Sequence, residues 1–123
     1  MSHLTKLDTG LGNLSYLEKS LNTLEIPNFR TDQFSQTSTL ILKISGNEQD
    51  SKFNWDGKNY VLQVDTDYWN YKYSIETFLD KVKHQYAIET ILSETVNQGF
   101  QPLKLEQQLD GSKIIRVERW NNF

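Results

Sequence analysis

Phe53–Trp69 reads FNWDGKNYVLQVDTDYW, and the rest of the chain is organised around it. Asp56-Gly57 stands between two runs with strand character. Asp-Gly is a preferred pair for a type I′ hairpin turn, whose two central residues both take positive φ. Beyond it, Tyr60, Leu62 and Val64 alternate with Val61, Gln63 and Asp65. A period of two marks a strand with one face on a core.

The stretch ends in Asp65, Asp67, Tyr68 and Trp69, and two readings stand. In the first, Asp65 and Asp67, joined by Asp56, offer hard oxygen ligands to a divalent cation. In the second, the same aspartates end a strand and cap loose backbone donors in a turn. The spacing is not that of a calcium-binding loop, which favours the turn. Trp69 reads as a packing residue whose indole N–H needs a partner, with a ligand-stacking role as the alternative.

Working back toward the N-terminus, Leu40, Leu42 and Ile44 alternate with Thr39, Ile41 and Lys43, and Gly46-Asn47 signals a turn. The runs 38–45, 52–55 and 59–65 predict an antiparallel meander. Residues 28–36 are polar and read as a loop or an irregular edge strand. Leu14, Leu17, Leu21 and Leu24 recur at helical spacing after Asn13, a candidate N-cap, and Pro27 is expected to stop that helix. Residues 3–11 predict a first strand, with Leu7, Thr9 and Leu11 on one side and Leu4 on the other.

Working forward, Ser74 is the next N-cap candidate, with Glu76 in the first turn, where the helix dipole favours an acid. Ile75, Phe78, Leu79, Val82 and Tyr86 form one apolar stripe. Ile88, Leu92 and Val96 lie on a rotated face, with Ile91 further round. The pattern predicts one long helix over 75–98, or two with a bend near Gln85–Ala87, ending at Gly99. Its apolar surface exceeds what one sheet face needs, so Ile88 and Ile91 are candidate partner contacts, together with Trp69. His84 and His3 have no motif that would pair them with a nucleophile. Residues 100–108 and 112–120 flank Asp110-Gly111 and predict a closing hairpin with opposite charges available across its strands.

The fold class that follows is α+β: an antiparallel sheet with two helices packed mainly on one face, a ferredoxin-like variant with an extra hairpin. The 123 residues are enough for one domain, taken as 1–123. Cysteine is absent, which excludes disulfides and thiolate chemistry. A net charge of −3 argues against nucleic-acid binding. The apolar runs are too short to insert in a membrane, and the N-terminal MSHLTKLDTG lacks the pattern of a signal peptide or an Arg-rich leader. Frequent Asn, Lys, Ile, Tyr and Phe match an AT-rich genome.

From end to end the chain resembles the Ycf35 family, an uncharacterised group of cyanobacteria and algal plastid genomes. The resemblance is carried by Met1-Ser2-His3-Leu4-Thr5, Leu14 and Leu17, and the region from Trp55-Asp56-Gly57 to Trp69. Gln85-Tyr86-Ala87, Gln98-Gly99-Phe100 and Arg119-Trp120 complete it. It departs from the family in having Leu4 where the family more often has Phe, and Tyr68-Trp69-Asn70 where it more often has a tighter Trp-rich Gly turn. The resemblance implies a plastid-encoded protein and no activity, cofactor or catalytic residue. The expected function is a small non-catalytic binding or adaptor protein of the chloroplast stroma, with a protein partner or a second copy as its target. The alternative is a small-molecule or metal-dependent accessory enzyme using Asp65, Asp67, Trp69 and His84.

Overall fold

The computed structural model describes residues 3–107 and 113–119, with side chains over 3–99. Its elements run β1 (Leu4–Asp8), α1 (Leu14–Thr23), β2 (Asn28–Arg30), β3 (Leu40–Leu42), β4 (Ser51–Trp55), β5 (Tyr60–Asp65), α2 (Ile75–Asn97), β6 (Phe100–Gln107) and β7 (Lys113–Arg119). Two compact units divide the chain, Met1–Tyr86 and Ala87–Phe123, and the boundary falls within α2.

In the first unit β1–β5 form one antiparallel sheet in the order β1-β5-β4-β3-β2. The register aligns Leu40, Phe53, Leu62 and Leu7 across four strands, so all four point to one face. That face meets Leu14, Leu17 and Leu21 of α1 and Phe78, Leu79 and Val82 of α2 in a single apolar cluster. Phe53, Tyr60 and Leu62 have no exposure at all. Burial of a large side chain contributes roughly 1.5–3 kcal/mol, so this cluster is the main favourable term for the unit. The opposite face carries polar neighbours, among them Asn54, which donates to Gln63 and accepts from Thr39.

The α+β class, the antiparallel sheet and the meander are as the periodicities predict. The ferredoxin-like detail is not found. That plan interleaves strands through two helical crossovers, whereas here β2–β5 is a plain meander and β1 closes beside β5. The hairpin of β6 and β7 forms a separate two-stranded sheet.

Several boundaries differ from the sequence expectation for local reasons. The first strand stops at Asp8, short of residue 11, because Gly10 takes a φ of +74° and turns the chain. Thr9 then tucks inward, its hydroxyl donating to Tyr60 O at 2.6 Å and accepting from Leu11 N at 3.0 Å. Helix α1 ends before Pro27 has any effect. Glu25 adopts a φ of +60°, Ile26 N bonds Leu21 O at 2.8 Å, and Glu25 N bonds Asn22 O at 3.0 Å. These paired bonds are a Schellman motif, which normally uses Gly at the left-handed position. Asp56-Gly57 does not form a two-residue turn. Trp55 pairs with Tyr60, leaving a four-residue loop, and Gly57 alone in it has positive φ, +103°. Asp56 Oδ1 accepts from Lys58 N and Asn59 N, both at 2.8 Å, and organises that loop.

The N-caps are as read. Asn13 accepts from Tyr16 N at 3.0 Å and Ser74 Oγ from Thr77 N at 3.1 Å. Asn13 N in turn donates to the Tyr86 hydroxyl at 3.0 Å, tying the start of α1 to α2. Glu18 of α1 receives both Nε, at 2.8 Å, and Nη2 of Arg30 in β2, and this bond raises the guanidinium pKa further.

In the second unit α2 continues without interruption to Asn97, so the expected long helix is one piece. Gly99, φ +84°, follows its end. β6 and β7 pair antiparallel, with Leu105 at the position of Ile115 and an irregularity between Pro102 and Lys104. That shift sets Lys104 opposite Arg116 and Glu106 opposite Ile114, so the expected opposite charges are not directly opposed. The Asp110-Gly111 turn lies outside the described residues.

Candidate functional site

Asp65 ends β5 and turns the chain. Its Oδ1 accepts from Asp67 N at 3.0 Å and from His3 N at 3.2 Å, capping a single 3-10 turn, Thr66–Tyr68. Asp67 Oδ2 lies 2.8 Å from His3 Nδ1. Both carboxylates are therefore engaged with the start of β1, as the turn reading expects. Asp56 sits at the other end of β5, so the three aspartates do not converge on one point. Backbone N–H bonds from Asn59 and Lys58 hold the Asp56 carboxyl below the usual carboxylate range. Among the described residues no group of three or more His, Asp or Glu side chains is placed to hold a metal ion. His84 is exposed on α2.

The turn delivers Trp69–Tyr73 to the end of the sheet. Trp69 is half-buried, its Nε1 donating to Tyr73 O at 2.9 Å. Its ring meets Tyr71 and Phe78 edge-on at 6.1 and 5.5 Å, the geometry that aromatic quadrupoles favour. Trp69 is thus a packing residue with a satisfied indole. Of the two isoleucines proposed as partner contacts, Ile88 is 5% exposed and Ile91 is 48% exposed. Only Ile91 stands at the surface.

The segment after Trp69 closes one wall of an open cleft of about 940 Å³. The α1–β2 corner and the loop after β3 form the others. Leu24, Ile26, Ile44 and Tyr71 give it apolar walls, while Glu25, Lys43, Asp50 and Lys72 are exposed around it. Lys43 Nζ meets Asp50 Oδ2 at 2.6 Å beside the opening. The walls are pinned by Asn70, whose N donates to Asn47 Oδ1 at 2.5 Å and whose Nδ2 donates to Gly46 O at 3.3 Å. Gly46 has φ +91°, and a Cβ there would lie 2.7 Å from Asn70 O, so only glycine allows this approach. A smaller hollow of about 270 Å³ lies between Gly46, Glu48 and Asp67–Asn70.

The cleft was not visible in the sequence. Its residues come from three segments between Leu24 and Lys72, and none forms a motif. The available signals were Gly46-Asn47 and the run Tyr71-Lys72-Tyr73, which gain meaning only when folded together. The cleft presents apolar surface, amides and both signs of charge, without a nucleophile paired to a base among its described residues.

Among the described residues no helix is long and apolar enough to cross a membrane. A family model described as "Protein of unknown function (DUF1257)" matches residues 11–117. The chain is 40% identical to "Uncharacterized protein ycf35" of Cyanophora paradoxa, over 98% of each chain. Its identity to the protein of the same name from Trieres chinensis is 42%, over 91% of this chain and 93% of the relative. The Pyropia yezoensis protein is 33% identical over 98% and 99%. No solved structure gives a significant match. Matches of this length and identity, all to algal relatives, show that the chain belongs to the Ycf35 family of plastid proteins.

Proposed function

We propose that this chain is a non-catalytic binding or adaptor protein of the plastid stroma, and that the cleft beside Asn70–Lys72 is its recognition surface. The observation that carries this reading is the cleft itself. It measures about 940 Å³, opens to solvent, and combines apolar walls with charged and amide groups. Concave, mainly preformed sites of this size are where proteins bind ligands and protruding side chains of partners. Asp65 and Asp67 bond the start of β1 and the turn that leads toward this surface.

The test is a pull-down of tagged protein from plastid stroma, comparing wild type with Ser45→Tyr and Lys72→Glu. Ser45 and Lys72 are exposed residues lining the cleft, so both variants keep the core intact. A stoichiometric partner held by wild type and lost by both variants, at unchanged melting temperature, supports the reading. Recovery of the protein alone, or a partner indifferent to both substitutions, defeats it.

A second reading is supported by the 270 Å³ hollow, because Asp67 and Trp69 both line it. A metabolite or cation there would have to draw Asp67 away from His3. Screening divalent metals and small metabolites for a rise in melting temperature tests it. A rise that Asp67→Asn abolishes is the expected result, and no rise in the screen removes this reading.

A further inference from the structure

Strand β1 is an edge of the five-stranded sheet and, among the described residues, pairs on one side only, with β5. Thr66 N donates to His3 O at 2.9 Å, which sets the phase of the ladder. Antiparallel strands alternate between residues that bond to a neighbour and residues that bond away from it. The odd positions Thr5 and Leu7 therefore bond to β5. The amides and carbonyls of Leu4, Lys6 and Asp8 face the open edge. The side chains of these same three residues are exposed, and Leu4 is 64% exposed. An open edge of this kind is a template for another strand.

From the charges on this strand we infer that the edge pairs with β1 of a second copy, antiparallel about a two-fold axis at Leu7. Three symmetric alignments pair at least two outward-bonding residues of each copy. Centring on Thr5 sets Leu4 against Lys6 and leaves Asp8 unmatched. Centring on Lys6 sets two ammonium groups against each other. Centring on Leu7 sets Lys6 against Asp8 twice, as hydrogen-bonded pairs with opposite charges, and brings the two Leu7 residues together. Opposite charges across a ladder stabilise it and like charges oppose it, so the sequence LTKLD selects this register. The two sheets then run as one across both copies. This inference does not depend on the cleft, which lies elsewhere and stays open.

The test is sedimentation velocity on the full chain with any tag placed at the C-terminus, up to about 100 μM, a range that reveals weak association. The wild type is expected at twice the chain mass of 14.4 kDa. Lys6→Asp and Asp8→Lys each turn two attractive pairs into two repulsive ones, and each is expected to weaken the dimer by about tenfold or more. Both sites are exposed, and circular dichroism should show an unchanged fold. An equimolar mixture of Lys6→Asp with Asp8→Lys restores both pairs, and the dimer should return. A monomeric wild type, a dimer indifferent to the single reversals, or a mixture that stays monomeric overturns the inference. Binding of a foreign strand by a monomer falls under the first of these.

Discussion

Tyr60→Phe isolates one buried hydrogen bond at the centre of the sheet. The Tyr60 side chain is fully buried, and its hydroxyl donates to Ser38 O at 2.9 Å. Phenylalanine keeps the ring and its edge-on packing against Trp55 at 5.2 Å, but leaves the Ser38 carbonyl short of a donor. The loss of one net bond together with a desolvated acceptor costs about 1.5 kcal/mol. With an unfolding entropy of about 2.1 cal/mol/K per residue, that lowers the melting temperature by about 6 °C. Thermal and urea unfolding followed by circular dichroism measure both.

The same residue predicts a pH signature. Burial raises the Tyr60 phenol pKa. The folded state therefore holds its proton where the unfolded chain, near pKa 10, releases it. Its contribution is whole below pH 10. It declines above that, by about 1.4 kcal/mol per unit, until the folded phenol also ionises. The gap between wild type and Tyr60→Phe should narrow above pH 10 and stay constant between pH 7 and 9. A variant that melts within about 2 °C of wild type at pH 7, or a gap that does not narrow in alkali, would refute the assignment of a buried, donating phenol.

Three further substitutions probe other parts of the argument. Glu25→Gly removes the cost of a non-glycine residue at φ +60° and should stabilise the chain by up to about 1 kcal/mol in urea unfolding. Gly46→Ala forces a methyl to within 2.7 Å of Asn70 O and should cost about 2 kcal/mol or more in the same assay. It should also free the Asn70 amide, seen as faster hydrogen exchange at that residue. Ile88→Asn should destabilise by about 3 kcal/mol or more, because Ile88 is 5% exposed. Ile91→Asn should stay within about 0.5 kcal/mol of wild type, because Ile91 is 48% exposed.

The elements that rest on local chemistry follow from neighbouring residues alone. The alternation at Tyr60–Val64, the leucine spacing of α1 and the caps at Asn13 and Ser74 were all legible, because period and capping depend on neighbours a few residues apart. The role of Asp65 as a turn former was also legible as one of two readings, since an Asp accepting its own backbone two residues on is a local act. Long-range events were not. Which strand lies beside β1 depends on the sheet face that α1 and α2 together cover, and no window of sequence holds that information. The end of α1 has no such local signature, because Glu25 takes a conformation that its residue type disfavours, held there by Ile26 entering the core. Beside the cleft, Gly46 lets Asn70 approach across 24 positions of sequence. Tertiary structure alone decided that, since close approach of two backbones is settled by packing and has no local signature beyond the glycine itself.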